Sequence, residues 1–281
     1  MEQVSANVFI DATTSGLCTV GAVRTPEGVV LIDSPNQPTR AVRWRGEVES
    51  LGEVRYLINT EFHIDHIFGN AFLPGTVIAH RKTKELFYTD SVIGPSPMKE
   101  PEPYVRKIDP EGLGLTADYR AREPEVAFDG RLTLNLGGVT VEAFVAPGHV
   151  PFQLAVHVPG DKVLFVSDNV FNGVMTWYHD SVPFEWLESL DRFRRMDVEV
   201  VVPGHGPASG PEVFDKMKET VGEAIGRVQS AINSGMSREE AGDRISFLDR
   251  VPVTGGFRSV VDRLQRLFVE RIYDQIMDRR A

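Results

Sequence analysis

The sequence is poor in cysteine, with a single one, Cys18, among 281 residues. One cysteine cannot form an internal disulfide bond, which suits a reducing compartment. Cys18 stands in the apolar run of residues 17–23, so we predict a buried, unreactive thiol rather than a nucleophile. The chemistry of the chain is therefore expected from histidine and carboxylate side chains.

The sequence also lacks an excess of basic residues and any long apolar run. Its 30 lysines and arginines are outnumbered by 40 aspartates and glutamates, which gives a formal net charge of −10. This charge argues against a nucleic-acid partner, because phosphate binding needs basic patches. No apolar run approaches the roughly 18 residues of a membrane helix, and residues 1–4 do not start like a signal peptide. We expect a cytoplasmic protein with a small-molecule substrate and no membrane partner.

The most informative feature is the run E-F-H-I-D-H at residues 61–66, which directly follows a predicted apolar strand. The strand delivers the run to one edge of a sheet. On an extended or loosely turning segment, residues i and i+2 point the same way, so Glu61, His63 and Asp65 can converge. His66 projects differently and can serve a second centre. The alternative is a plain polar loop that contains two histidines.

Three later segments repeat the layout of apolar strand, short turn and polar ligand. In order, residues 139–146 lead to His149, residues 163–166 to Asp168 and residues 198–202 to His205. Glycines beside the two histidines allow a tight turn and a close backbone approach. Each segment alone is more often an ordinary loop, but four such segments in this order are hard to produce by chance. Together they predict a metal site at the strand ends.

This ordered set of motifs resembles the metallo-β-lactamase superfamily. The family signature is H-x-H-x-D-H, followed by a histidine, then an aspartate or cysteine, then a histidine, each at a strand end. The resemblance covers about residues 8–207. Periodicity alone indicates only an α/β protein, whereas the resemblance implies a four-layer αβ/βα sandwich, with residues 1–281 as one domain. An aspartate rather than a cysteine in this signature is similar to the glyoxalase, lactonase and phosphodiesterase branches.

The resemblance also implies a cofactor of two divalent metal ions, zinc first, with manganese or iron as alternatives. The implied ligands are Glu61, His63 and His149 for metal 1, Asp65, His66 and His205 for metal 2, and Asp168 as a bridge. A hydroxide that bridges the two ions would attack the substrate, and Asp65 would act as the catalytic residue that orients it and shuttles its proton.

Glu61 departs from the family signature, which has a histidine at this position. The carboxylate lowers the formal charge of the centre by one unit, which weakens metal 1 as a Lewis acid and favours a harder ion there. The alternative is that Glu61 is not a ligand and that only metal 2 is firmly bound.

These residues predict a metal-dependent hydrolase for a small apolar or aromatic substrate with an ester, lactone, thioester, amide or activated aryl bond. Two other classes stay open. One is an iron-dependent redox enzyme of the persulfide-oxidising type, with Glu61, His149 and Asp168 at the ligand positions. Two carboxylates in that set count against it, because the facial arrangement has one. The other is a non-catalytic ligand-binding protein, against which the near-complete ligand set argues.

Aromatic residues near the motifs predict an apolar substrate pocket. The candidate substrate-binding residues are Phe62, Phe171, Trp177, Tyr178 and His179. The alternative is that these aromatics only pack against the adjoining helix, which we predict over residues 183–196.

Two further regions have a distinct composition. Residues 90–120 are rich in proline and glycine, which predicts an active-site lid or, alternatively, a linker. Residues 211–281 are predicted to form two amphipathic helices that pack on the core or make a homo-oligomer interface. Their apolar stripes are Val213, Met217, Val221, Ile225, Val228 and Ile232, and then Phe257, Val261, Leu264, Phe268, Ile272 and Ile276.

Overall fold

The strands form two β-sheets in the computed structural model, which describes residues 1–12, 17–90, 94–248 and 261–280. The first sheet contains seven of the described strands in chain order. They are β1 (Glu2–Gln3), β2 (Val8–Asp11), β3 (Val20–Thr25), β4 (Gly28–Ile32), β5 (Val54–Asn59), β6 (Thr76–His80) and β7 (Val126–Phe128). Strands β1 to β4 pair antiparallel and β4 to β7 pair parallel. The carboxyl ends of β4 and β5 therefore meet at one edge.

The second sheet contains five of the described strands in the order β12-β11-β10-β9-β8. They are β8 (Arg131–Leu136), β9 (Val139–Val145), β10 (Leu154–Val158), β11 (Val163–Phe171) and β12 (Val200–His205). Strands β8 to β11 pair antiparallel, whereas β11 and β12 are parallel.

The two sheets pack face to face around a shared apolar core. Residues of both sheets contribute, including Ile10 and Ile58 from the first and Phe165 and Val202 from the second. Gly21 of β3 permits this packing, because a Cβ atom there would lie 2.2 Å from Cε1 of Phe165. A larger residue at position 21 would push the sheets apart, since protein interiors have no spare volume of that size.

Helices cover the outer faces of both sheets. The described helices are α1 (Pro38–Glu49), α2 (Ile64–Ile67), α3 (Arg81–Leu86), α4 (Pro101–Ile108), α5 (Pro183–Arg194), α6 (Glu212–Asn233), α7 (Arg238–Arg244) and α8 (Val261–Asp278). Helix α1 packs on the first sheet through Trp44 and Val48, and helices α5, α6 and α8 pack on the second. These layers confirm the predicted four-layer αβ/βα sandwich. Within the described residues, no helix combines the length and apolar character that crossing a membrane requires.

Several helices begin where the sequence places a suitable first residue. Pro38, Pro101 and Pro183 open α1, α4 and α5, at a position where a backbone N–H would have no helical partner. Helix α7 begins with a capping box, in which Ser237 and Glu240 each accept a hydrogen bond from the other's backbone N–H group.

The C-terminal helices belong to the core of the second sheet. The stripe members that are buried or packed against this core are Val213, Met217, Val221, Ile225, Val228 and Ile232 in α6, and Leu264, Phe268, Ile272 and Ile276 in α8. Phe257 and the side chain of Val261 lie outside the described residues. The described stripes thus pack on the domain, and a homo-oligomer through these helices stays a prediction.

Residues 90–120 contain more regular structure than their proline content suggested. They include α4 and a 3-10 helix over Pro110–Thr116. Val105 is fully buried, and the Tyr104 hydroxyl accepts a 2.7 Å hydrogen bond from Nδ2 of Asn36. Proline is favourable in the first turn of a helix, which is why a proline-rich sequence can still be helical. That this segment acts as a lid stays a prediction.

Candidate metal centre

The predicted ligands lie at one edge shared by the two sheets. Glu61 follows β5 and His205 ends β12, so both stand at the carboxyl ends of parallel strands, where α/β sheets commonly place their sites. His149 lies in the turn between β9 and β10, and Asp168 lies in β11. Strands far apart in the chain therefore deliver their polar side chains to the same place.

The seven predicted ligands fall into three overlapping groups, in each of which the ligand atoms lie within 4.8 Å of one another. The groups are Glu61, His63 and His149; Asp65, His66 and His205; and Glu61, His66 and Asp168. The first two correspond to the sets predicted for metal 1 and metal 2, and the third joins them. The side chains are thus within reach of common ions, while their role as ligands stays a prediction.

The backbone after β5 turns into a short helix instead of staying extended. Residues Ile64–Ile67 form α2, and His63 is its N-cap. Because successive side chains of an α-helix point about 100° apart, the side chains of Asp65 and His66 point in different directions. The expected alternation of side chains therefore ends at His63.

Asp168 lies inside a strand, whereas the sequence pattern suggested a position after one. Strand β11 continues to Phe171, and its register with β12 is irregular between Phe165 and Phe171. Ser167 has a φ angle of 48°, in the left-handed region that is uncommon for residues other than glycine. Gly204 of β12 makes room for the carboxylate, because a Cβ atom there would lie 1.9 Å from Oδ1 of Asp168.

The Asp168 carboxylate contacts histidines of both predicted ligand sets. Its Oδ1 lies 3.1 Å from Nε2 of His66. Its Oδ2 lies 3.4 Å from Nε2 of His205 and 3.6 Å from Nε2 of His149. His205 also contacts Asp65, with 3.2 Å between Nε2 and Oδ2. Asp168 therefore connects the two sets, and Glu61 also reaches both, with its Oε1 3.6 Å from Nε2 of His66 and 3.9 Å from Nε2 of His149.

Glu61 faces the same centre from the other side. Its side chain is fully buried, and its Oε2 is in close contact with Nδ1 of His63. Nε2 of His149 lies 3.2 Å from Nδ1 of His63 and 3.9 Å from Oε1 of Glu61. The carboxylate thus occupies a position from which it can replace the family's first histidine.

Three of the histidines are held at the ring nitrogen that points away from the centre. These contacts are His66 Nδ1 to Asp33 Oδ2 at 2.9 Å, His149 Nδ1 to the Trp177 carbonyl oxygen at 2.9 Å, and His63 Nε2 to Asp180 Oδ2 at 3.2 Å. Such contacts fix the ring orientation of metal-binding histidines and leave the other nitrogen free to ligate.

Sequence reasoning missed Asp33 and Asp180. Asp33 is 2% exposed and also accepts hydrogen bonds from the N–H and the hydroxyl group of Thr60, at 2.8 and 2.6 Å. It directly follows β4, in the same order of strand and carboxylate as the predicted ligands, so a signal existed. Asp180 stands in irregular chain after β11, where no local pattern marks it, yet its ligand atoms lie within 4.8 Å of those of His63 and His179.

The donor atoms of the centre fit a cation. Oε1 of Glu61, Nε2 of His66 and Oδ1 of Asp168 are buried and make no well-aligned hydrogen bond within the described residues, although Nε2 of His66 and Oδ1 of Asp168 lie 3.1 Å apart. Leaving such a buried group unsatisfied costs about 1–3 kcal/mol, and more if it is charged. A metal ion would satisfy all three atoms, and a set of histidines and carboxylates suits zinc, manganese or iron.

Protonation of the metal-free centre follows from the same contacts. Burial opposes ionisation of Asp168, but His205 and His66 hold the pKa of its carboxyl well below the usual range. Burial alone would lower the pKa of His205, yet Asp168 and Asp65 raise it well above the usual value. Because metal ligands must lose such protons, we expect metal binding to release protons.

The metal 1 histidines differ from each other in their preferred charge. Burial disfavours the His63 imidazolium, but Glu61 and Asp180 outweigh burial and raise its pKa to about 10. For His149, burial outweighs the attraction of Glu61 and Asp168, so its pKa is lowered and the ring stays neutral. A neutral ring needs no deprotonation before it ligates a metal.

Three of the predicted substrate-binding residues lie beside the centre. Phe62 and His179 line a cavity next to His63. The Phe171 ring stacks on that of His205, with 5.4 Å between centroids. That these three residues contact the substrate stays a prediction.

Trp177 and Tyr178 lie on the core side of the same segment. The Trp177 ring meets that of Phe268 in α8 at 5.9 Å, and the Tyr178 ring meets that of Trp186 in α5 at 5.8 Å. Tyr178 is only 2% exposed. These contacts match the alternative in which aromatics of this segment pack against the neighbouring helices.

Curated relatives are similar to this chain over most of its length. A linear primary-alkylsulfatase from Pseudomonas sp. is 22% identical over 261 residues, which cover 80% of this chain and 49% of that protein. The alpha subunit of a 2,4-dinitroanisole O-demethylase from Nocardioides sp. is 25% identical over 199 residues, which cover 68% of this chain and 53% of that protein. The chain thus spans about half the length of these relatives.

A solved structure agrees with the fold, and a family model identifies the family. A metallo-beta-lactamase from Pontibacter korlensis superposes with a TM-score of 0.58 at 20% identity, over 78% of this chain and 97% of that one. At this identity the likeness shows the fold alone. The sequence model of the metallo-beta-lactamase superfamily matches residues 13–205, which is more than half of the chain. The matched region extends to His205 and contains all seven predicted ligands. Because the match covers more than half of the sequence, the chain belongs to the metallo-beta-lactamase superfamily.

Proposed function

We propose that this chain is a metal-dependent hydrolase with a two-metal centre. The observation that carries the proposal is the position of Asp168, which contacts histidines of both ligand sets and whose buried Oδ1 makes no well-aligned hydrogen bond. A carboxylate with these contacts suits a ligand shared by two ions. Two divalent ions, zinc with manganese or iron as alternatives, would supply an acidified water and polarise a substrate oxygen.

Asp65 is the carboxylate best placed to move protons. Its side chain is 28% exposed, whereas that of Asp168 is 5% exposed and that of Glu61 is fully buried. The 3.2 Å contact with Nε2 of His205 orients the Asp65 carboxylate. Asp65 can therefore position the attacking water and later pass its proton to the leaving group.

The substrate that we propose is small and carries an apolar or aromatic group. One curated relative is named for linear primary alkyl sulfates and the other for 2,4-dinitroanisole, so each name includes a compound with an alkyl or an aromatic group. In this chain, Phe62 and Phe171 lie beside the ligand histidines. We expect hydrolysis of an ester, lactone, thioester, amide or activated aryl bond.

Elemental analysis of the purified protein, combined with a substrate screen, tests the proposal. The screen covers esters, lactones, thioesters, β-lactams, alkyl sulfates and nitroaryl ethers. We expect close to two metal equivalents, and turnover of at least one class that is lost on chelation and restored by added metal. Asp65→Asn should abolish this turnover, whereas Asp197→Asn, at a carboxylate that is 82% exposed, should not change it.

Three results would contradict the proposal. A protein that binds no divalent metal would exclude a metal-dependent reaction. A metal-loaded protein that turns over none of the classes would favour the non-catalytic alternative. Iron as the single bound metal, with visible absorption and oxygen consumption, would favour the redox alternative instead.

A further inference from the structure

A cavity of about 240 Å³ opens beside His63 and extends away from the metal centre. One wall comes from the ligand loop and α2, and the other comes from the end of α3 and the chain that follows it. The apolar side chains that line it are Phe62, Ile64, Ile67, Leu86, Phe87 and Pro97. His63, His179 and Asp180 line it as well, so the cavity and the centre share side chains.

We infer that this cavity holds an uncharged apolar chain or ring of the substrate while the reacting bond lies at the metal centre. The inference rests on the proposed hydrolase function and adds the binding site that selects the substrate. An apolar cavity of about 150 Å³ is large enough to bind benzene. The cavity beside His63 therefore has room for a substituted ring or a medium-length alkyl chain.

The floor of the cavity is fixed by core packing. Ile67 and Phe87 are 1% and 2% exposed, and they share a cluster with Val105 of α4 and with Tyr119. Residues of the segment 90–120 thus support the cavity from behind. A floor that is buried in this way is preformed, so binding an apolar group costs little reorganisation.

The opposite wall is half-buried and can be changed without unfolding the protein. Leu86, at the end of α3, is partly exposed and contributes an apolar face to the cavity. A larger residue at this position would fill the space that we assign to the substrate, while the buried floor stays unchanged. Leu86 is therefore the position at which the assignment is best tested.

The charges around the cavity select against anions. Asp90 and Asp180 line it, and among its described lining residues none is a lysine or an arginine. Asp180 already contacts Nε2 of His63, and Asp90 accepts a 3.0 Å hydrogen bond from the N–H of Ser96. A negative group at the end of the substrate chain that lies far from His63 would face Asp90, with no lysine or arginine among the described lining residues, which is unfavourable. Neutral chains should therefore be preferred.

A chain-length series of p-nitrophenyl esters tests the inference on the metal-loaded protein. We expect kcat/KM to rise about fourfold for each added methylene until the cavity is full, since each buried methylene contributes a constant free energy. Leu86→Trp should remove this dependence by lowering kcat/KM for the longer esters, while metal content stays the same. The matched control is Leu115→Trp, at a leucine that is 42% exposed and does not line the cavity.

The charge of the wall is tested with a pair of esters of similar length. The wild-type protein should prefer p-nitrophenyl butyrate over p-nitrophenyl hemisuccinate, which carries a terminal carboxylate. Asp90→Lys should shift this preference by about tenfold towards the hemisuccinate. No change in the ratio would show that Asp90 does not face the bound chain.

Binding without turnover separates this inference from the proposed function. Titration with n-hexanol, followed by NMR, should show saturable binding that Leu86→Trp weakens and Leu115→Trp does not. Hexanol binding in a metal-loaded protein that turns over none of the screened substrate classes would support the cavity and contradict the hydrolase. Ester hydrolysis with a flat chain-length series and no hexanol binding would overturn the cavity alone.

Discussion

The two sides of the candidate metal centre are supported in different ways. On one side, His66 is fully buried and its Nδ1 is held by Asp33, which is 2% exposed. On the other side, the His63 ring is 13% exposed, and its Nε2 is held by Asp180, which is 43% exposed. A buried partner that is itself hydrogen-bonded orients a ligand better than an exposed one. We therefore expect the His66 side to bind its metal ion more tightly.

The His66 side also has a hydrogen-bonded connection between the sheets. The Thr60 hydroxyl, at the end of β5, lies 2.6 Å from Oδ2 of Asp33 and 2.6 Å from the Ser167 hydroxyl of β11. Ser167 precedes Asp168, so one buried chain of contacts orients His66 from one sheet and Asp168 from the other. The described contacts of His63 contain no equivalent link to a buried strand. The comparison thus predicts one preorganised ion site and one looser site.

The largest effect should come from Asp168, which contacts both sides. Asp168→Ala should abolish hydrolysis and lower bound metal to about one equivalent or less, because a shared carboxylate serves both ions. Elemental analysis and turnover measure the two effects. Asp197→Ala is the control, since it removes an aspartate whose side chain is 82% exposed. Full metal content with near-normal turnover in Asp168→Ala would contradict the bridging assignment.

A smaller effect is expected when the buried support of His66 is weakened. Asp33→Asn should lower the affinity of the tighter ion by about tenfold to a hundredfold, as is usual for carboxylates that orient a ligating histidine. Asparagine tolerates the left-handed backbone at this position, where φ is 57°, so the fold should persist. Competition with a chelator measures the affinity, and an unchanged melting temperature confirms folding. Unchanged affinity would show that Asp33 is only a structural group.

A still smaller effect is expected on the exposed side. Asp180→Asn should lower metal affinity by about tenfold or less, because solvent already screens this carboxylate and can replace its contact with His63. The same chelator competition measures it. If Asp180→Asn weakens metal binding more than Asp33→Asn does, the order of the two sides is reversed and the comparison fails.

Most of the strands could be predicted because their signal is local. Apolar runs such as those of β5 and β9 ended at polar residues, and this pattern is visible without tertiary contacts. Helix α2 escaped prediction because four residues are too few for a helical period. The full length of β11 escaped because its polar residues, Ser167 and Asp168, continue the strand only through pairing with β12.

Part of the candidate site could be predicted from the sequence, as most of the strands could. Candidate ligands that stand just after apolar strands have a sequence signal, and Asp33 has the same signal but was not predicted. Asp180 carried none, because its contact with His63 joins residues 117 positions apart through irregular chain. The cavity wall at Leu86 likewise depends on where α3 packs against the ligand loop. Contacts made only by tertiary packing leave no periodic pattern in the sequence.

The smallest effect, in rate terms, should come from restoring the family's residue at Glu61. Glu61→His removes one negative charge from the exposed side, so the attacking water loses its proton more readily. The acidic limb of the pH–rate profile should then move to lower pH, and metal preference should shift towards zinc, with two ions retained. The pH profile and elemental analysis measure both changes.

Glu61→Ala tests whether Glu61 is a metal ligand, which the shift of the pH–rate profile in Glu61→His assumes. Without the carboxylate, His63 and His149 are too few to hold an ion tightly, so about one equivalent of metal should be lost from the looser side. If Glu61→Ala keeps its metal and Glu61→His keeps its pH profile, Glu61 is not a ligand. The His66 side would then hold an ion, whereas the His63 side would be an incomplete site. His63 and His149 have only Glu61 as the third member of their group, so without it they offer two donors.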